Sequence, residues 1–188
     1  MTWRDDLVSR VKACTNCPLH TTRTQAVPGW GSETAKVMFL GEAPGKNEDI
    51  QGRPFVGQAG RILTEALAKV GWSREDVYIT NLVKCRPPNN RDPQPPEVRS
   101  CRSYFEEELQ HIGPLLVVLL GRHALAAVSP SLSISKYHGK PFRKISQNQW
   151  YFPSYHPAAT LYSHTLRATF EADIAIARKH LDWLENQE

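Results

Sequence analysis

Cys14-Thr15-Asn16-Cys17 places two thiols in a C-x-x-C, a spacing that presents both to one metal centre. Two more cysteines complete the set: Cys85 closes an apolar, strand-like stretch, and Cys101 falls in a segment with helical periodicity. Four cysteines with one tight pair fit all-thiolate ligation of zinc or of an iron–sulfur cluster. Pro18, directly after Cys17, is a neighbour also found beside ferredoxin-type cluster ligands. Spacing does not separate zinc from iron. Four unrelated buried thiols are the plain alternative, and disulfides suit a reducing compartment poorly.

Three loops could carry further chemistry. The first runs Gly41-Glu42-Ala43-Pro44-Gly45-Lys46-Asn47-Glu48-Asp49 and continues to Gly52-Arg53-Pro54-Phe55-Val56-Gly57. Its glycines let backbone N–H groups come close to a ligand. A triphosphate-binding loop is the rival for Gly41 to Lys46, and it fails twice. The spacing is one residue short, and Asn47 stands where a Ser or Thr would hold magnesium. The second loop is Ile79-Thr80-Asn81-Leu82-Val83-Lys84-Cys85-Arg86. An Asn at a strand tip can give and accept hydrogen bonds at once, which suits reading a nucleobase edge and equally suits a turn. The third is Tyr155-His156-Pro157-Ala158-Ala159, where a His just past a strand can serve a ligand or the fold.

The elements that must position these loops alternate in kind. Val37–Leu40, Val77–Thr80, the continuous apolar run Leu115–Leu120 and Trp150–Phe152 read as strands, the third as a central one covered on both faces. Pro153 argues that the last strand lies at an edge or ends early. Ile62, Leu63, Ala66, Leu67 and Val70 recur at helical spacing, with Gly71 as a stop. Helices are also expected from Glu97 to Ile112 and from about Leu166 to Leu184. This order predicts an α/β fold, a three-layer α/β/α sandwich around a short, mainly parallel sheet. Ligands in such folds bind outside the carboxyl ends of the strands. The Pro-rich stretch from Arg86 to Pro96 reads as a stiff loop between two cysteines rather than a linker, so residues 1–188 are expected to form one domain.

With 188 residues and 40% hydrophobic content, the chain suits a single core. The N-terminal Met1-Thr2-Trp3-Arg4-Asp5-Asp6 is polar, and no apolar run would span a bilayer, so a cytoplasmic protein without a membrane partner is expected. The net charge of +4 permits a nucleic-acid partner and does not require one.

Taken together, Gly41-Glu42-Ala43-Pro44-Gly45 with Glu48-Asp49, Gly52-Arg53-Pro54-Phe55-Val56-Gly57, Ile79-Thr80-Asn81 and His156-Pro157-Ala158 closely resemble the signature loops of the family 4 uracil-DNA glycosylases, which carry an iron–sulfur cluster. The four cysteines follow that family's order and approximate spacing, and the resemblance covers nearly the whole chain. It implies hydrolysis of the bond between uracil and deoxyribose in DNA, with free uracil as product, by a monomer acting in base-excision repair. The target nucleotide must be turned out of the stack into a pocket.

By that resemblance, Phe55 stacks on the base and Asn81 reads its edge. Glu48 walls the C5 side where a thymine methyl would collide, and His156 donates to O2 of the departing base. Gly41 and Ala43 line the pocket, and Ala43 stands where other uracil glycosylases place an aspartate. Glu42 then orients the attacking water or anchors the loop. Cys14, Cys17, Cys85 and Cys101 hold a 4Fe-4S cluster, with zinc as the alternative, beside the DNA. Lys84, Arg86, Arg91, Lys136, Lys140 and Arg143 are candidates for phosphate contacts, and Thr160-Leu161 for the wedge that fills the vacated stack. The stretch between Cys85 and Cys101 has no histidine, so covalent trapping of the sugar there is not expected. A zinc-stabilised nucleic-acid-binding module without catalysis is the rival from another class.

Overall fold

A computed structural model describes residues 2–187. The first helix, α1 (Trp3–Ala13), starts at Thr2, which exchanges hydrogen bonds with Asp5 in a capping box. It buries only Leu7 and Val11. Two inward residues make too thin a stripe for sequence periodicity to register. The chain then passes through the C-x-x-C and a short 3-10 turn, Pro18–Thr21.

There follow β1 (Trp30–Gly31), β2 (Val37–Gly41), α2 (Lys46–Gln51), α3 (Gln58–Lys69), β3 (Tyr78–Asn81) and α4 (Pro95–Ile112). The second half adds β4 (Leu116–Leu120), α5 (Arg122–Val128), α6 (Ile134–Tyr137), β5 (Phe142–Lys144), β6 (Gln149–Ser154) and α7 (His164–Glu185). Among the described residues the strands form one six-stranded sheet in the order β1-β3-β2-β4-β6-β5. Its inner four are parallel, and β1 and β5 are antiparallel edges.

Strand residues alternate between the two faces, and each face has its own helices. Val37, Phe39, Leu116, Val118, Leu120 and Phe152 pack on α3 and α7 through Leu63, Leu67, Phe170 and Ile174. Met38, Leu40, Val117, Leu119 and Tyr151 pack on α4 and α5 through Phe105, Ile112 and Leu125. The result is the expected α/β/α sandwich. β4 is fully buried at its centre, as its apolar run required.

Three local readings change. Pro153 lies within β6 rather than ending it, paired with Leu119. β5 pairs with β6 only as far as Tyr151, so no outer ladder needs the N–H that proline lacks. Helix α4 begins two residues before Glu97, at Pro95, a position whose N–H has no helical partner anyway, with Glu97 Oε2 accepting from Gln94 N at 2.7 Å. The stretch from Gly41 to Gly60 is not all loop, since it holds α2 and the first turn of α3. Among the described residues no helix is long and apolar enough to cross a membrane.

Candidate active site

The parallel strands β2, β3, β4 and β6 deliver Gly41, Asn81, Gly121 and Ser154 to one end of the sheet. The first, second and last lead into the three loops singled out above. Those loops enclose a cavity of about 300 Å³ lined by Glu42, Ala43, Glu48, Phe55, Asn81 and His156, among others. The three groups expected to grip, read and release a base thus share one hollow.

Each is held by the backbone around it. Gly41 lies opposite Asn81 in the β2–β3 ladder, and a Cβ there would sit 2.3 Å from Asn81 Oδ1 and 2.6 Å from Phe55 Cζ. Only hydrogen at that position leaves room for both side chains. Asn81 is 2% exposed, and its Oδ1 is buried with no hydrogen-bond partner among the described residues. An orphaned buried acceptor costs about 1–3 kcal/mol, recovered when a ligand N–H meets it. Phe55 takes a left-handed backbone conformation, φ 52°, which is rare for a bulky residue. Arg74 secures it, donating from Nη1 to Phe55 O at 2.9 Å and from Nη2 to Pro54 O at 2.7 Å.

His156 lies 5.6 Å from the Phe55 ring, centroid to centroid. Its Nδ1 accepts from Ala158 N at 3.1 Å, which leaves the proton of the neutral ring on Nε2. The residue is half-buried at the cavity wall. Desolvation pulls its pKa down from 6.5 to about 4, against the opposing charge of Glu48. His156 is therefore a neutral donor at pH 7.

Glu48 is not a solvated loop charge. Its Oε1 accepts from Val56 N and Gly57 N at 2.9 and 2.8 Å and its Oε2 from Gly45 N at 3.1 Å, stapling the two halves of the first loop. Glu42 stands at the cavity wall with its carboxyl raised by burial, an effect that neighbouring His123 counters. Glu42 Oε2 lies 3.7 Å from His123 Nε2.

Beneath Asn81 the structure overturns one expectation. Lys84 does not reach phosphate, because it is 1% exposed and paired with Glu108 at 2.7 Å. Its ammonium also donates to Thr80 Oγ1 and to Asn81 O, at 2.6 and 2.9 Å. It serves as a buried strut under Asn81. Arg143 likewise lies away from the cavity, grouped with Leu115 and Gln149 at the amino ends of β4 and β6. Thr160 is buried, with Oγ1 donating to Pro157 O, so it is not free to act as a wedge, while Leu161 is partly buried against the core. The side chain this loop presents to solvent is Tyr162, 96% exposed.

The other basic candidates stand at the surface. Lys136 and Lys140 are exposed, beside His138, whose ring lies 4.7 Å from Tyr155 just before His156. Arg86 donates to Asn90 Oδ1, and Arg91 lines the cavity while pairing with Glu97 through both terminal nitrogens.

Cys14, Cys17, Cys85 and Cys101 converge in one small hollow, all as free thiols, under a cover that includes Leu7, Val11, Leu19 and Tyr104. Arg23 Nη1 donates to Cys85 Sγ at 3.0 Å and Lys84 N to Cys101 Sγ at 3.2 Å. Burial pushes the Cys101 thiol up to about 11, so bound cations would have to displace its proton. Four soft donors, two of them already hydrogen-bonded, fit a thiolate-held metal group.

Sequence reading missed the fourth strand end. Gly121-Arg122-His123 follows β4 as directly as the other loops follow their strands, and that position was its only signal.

Residues 28–180 match the model of the uracil DNA glycosylase superfamily. The type-4 uracil-DNA glycosylase of Archaeoglobus fulgidus is 47% identical over 176 residues, covering 90% of this chain and 88% of that protein. That of Thermotoga maritima is 43% identical, covering 92% and 91%. A type-5 uracil-DNA glycosylase of Pyrobaculum aerophilum is 34% identical, covering 94% and 92%. The chain belongs to the uracil DNA glycosylase superfamily, among its type-4 members.

Proposed function

We propose that this chain is a uracil-DNA glycosylase that hydrolyses the N-glycosidic bond of deoxyuridine in DNA, releasing uracil and leaving an abasic site for repair. The observation that carries the reading is the shared hollow of Phe55, Asn81 and His156, with an unpartnered Asn81 Oδ1 inside it. A uracil extruded from the stack rests on Phe55, a contact worth about 1–3 kcal/mol. Its N3–H meets Asn81 Oδ1, and its O4 accepts from the Asn81 amide nitrogen. Cytosine presents the opposite pattern at both positions. Gly41 and Ala43 leave the space for the ring, and Glu48 closes its C5 side. A fixed wall rejects thymine more firmly than a lost contact does.

Bond cleavage loads negative charge onto the base. The Nε2–H of neutral His156 meets O2 with a hydrogen bond that strengthens as the charge develops. No protonated histidine is needed. Glu42 orients the attacking water. Arg86, Arg91, Lys136 and Lys140 hold phosphates and position the strand without reading sequence.

The cysteines hold a 4Fe-4S cluster in this reading, which braces the N-terminal segment and the 86–96 loop beside the DNA. The reading includes a single domain, a monomer, and the cytoplasm as the compartment where free thiols stay reduced.

Oligonucleotides bearing uracil, thymine, cytosine or hypoxanthine, incubated with the protein and treated with alkali, test the activity. Strand scission should occur at uracil, and its absence at stoichiometric protein would end the reading. A brown preparation with broad visible absorbance and bound iron is expected, and a colourless one with full zinc occupancy would replace the cluster by zinc.

A further inference from the structure

We propose that His123, at the start of α5, is a positioning residue for Glu42, and that it does so by tying Glu42 to Asp92 on the loop between Cys85 and Cys101. The inference rests on the glycosylase reading and on Glu42 as the group that orients water.

The geometry is a three-way junction. His123 Nε2 lies 3.1 Å from Asp92 Oδ2 and 3.7 Å from Glu42 Oε2. Arg122 Nη2 donates to the same Asp92 oxygen at 2.7 Å, and Arg122 Nε donates to His123 Nε2 at 3.2 Å. These residues come from three separate segments: the loop after β2, the inter-cysteine loop, and the first turn of α5. The side chains of Glu42 and His123 are 25% and 29% exposed, while that of Asp92 is 57% exposed. Glu42 therefore meets a half-buried imidazole that is itself anchored from outside.

Such an arrangement has a physical consequence. A glutamate on a glycine- and proline-rich loop has several rotamers, and holding water beneath a sugar needs one of them. An imidazole 3.7 Å away favours the rotamer that faces it, and Asp92 with Arg122 fixes the ring. The loop that the cysteines close at both ends is thereby connected to the catalytic wall. Loss of the imidazole should slow the bond-breaking step without weakening DNA binding, because no phosphate contact is removed.

The test compares His123→Leu, His123→Gln and Glu42→Gln by single-turnover cleavage of uracil DNA and by affinity for uracil-free duplex. H123L should lower the rate about ten- to hundredfold, the scale of a misplaced catalytic group. Duplex affinity should stay within about twofold, well short of one factor of ten. H123Q keeps a polar amide near the Nε2 position, able to accept from Arg122 and to donate towards the carboxylates, and should recover most of the rate. On the E42Q background H123L should cost nothing further, since both remove one function.

The failures separate. E42Q at the wild-type rate overturns the reading of Glu42 and this role with it. E42Q slow with H123L at the wild-type rate overturns the positioning role alone. So does an H123L loss that is equally large on the E42Q background, or an H123Q as slow as H123L, which would assign the effect to packing. Should H123L not fold by circular dichroism, Asp92→Asn on the exposed side of the junction carries the same comparison.

Discussion

Gly41 and Asn81 face each other across β2 and β3 so closely that a methyl group on Gly41 would overlap the Asn81 amide oxygen, at 2.3 Å. The same methyl would press on the Phe55 ring at 2.6 Å. Gly41→Ala therefore strikes Asn81 and Phe55, the proposed edge reader and stacking surface, together. Its single-turnover rate on uracil DNA should fall at least about hundredfold, as for a comparable misplacement of catalytic groups. Affinity for uracil-free duplex should be kept, because none of the residues proposed to meet phosphate lies against Gly41. Wild-type turnover by G41A would mean that Asn81 and Phe55 do not hold the base between them.

The Lys84–Glu108 pair makes a different prediction. Both side chains are essentially inaccessible, and Glu108 also accepts from Gly29 N and Thr80 Oγ1. Lys84→Met leaves a buried carboxylate without its cation, a change that costs about 3–5 kcal/mol. Denaturant unfolding should show this loss, and adding Glu108→Leu should restore much of it. The salt dependence of DNA binding should not change in any K84M that folds. Lys136→Ala should behave oppositely, keeping stability and lowering the salt slope by about one. A K84M protein of normal stability with a reduced salt slope would return Lys84 to the DNA interface.

These two cases show where the sequence was legible. Strand β4 declared itself through an unbroken apolar run. The convergence of Phe55, Asn81 and His156 followed from three loops at the ends of strands on one sheet. Lys84 was misread because burial of its ammonium depends on Glu108, which α4 brings back from 24 residues away. No local pattern carries that information. Thr160 was misread for a related reason: a 3-10 turn, Pro157–Thr160, turns it inward. His123 needed only the rule that loops after parallel strands carry chemistry, applied once more.

The loop after that turn yields a third prediction. Tyr162 is the exposed aromatic group on the segment that follows His156, whereas Leu161 is packed against the core. Leu161→Ala should lower stability, by a few kcal/mol at most for a partly buried leucine. Tyr162→Ala should leave stability unchanged. If the tyrosine fills the gap left by the extruded base, Y162A should weaken activity on duplex more than on single-stranded uracil DNA. Fluorescence of 2-aminopurine beside the target would report reduced opening. Equal effects on both substrates would remove Tyr162 from that role.

His156 links stability to pH in a way that tests its protonation state. In the unfolded chain it titrates near 6.5, and in the folded protein desolvation lowers this to about 4. Between those values the unfolded state binds the proton and the folded state refuses it, so falling pH favours unfolding. The contribution of the neutral ring is complete above about pH 6.5, shrinks as pH drops, and is exhausted below about 4. Other titrating groups shift stability too, and comparison with His156→Asn at each pH cancels most of them. The stability of wild type relative to H156N should decline steadily from pH 7 to pH 4. The cleavage rate of wild type should show no inflection near pH 6.5, because the Nε2–H donor persists through that range. A stability difference that stays flat over the interval, or a rate that follows a group of pKa 6.5, would mean that His156 carries charge at work and that a cation draws the base away.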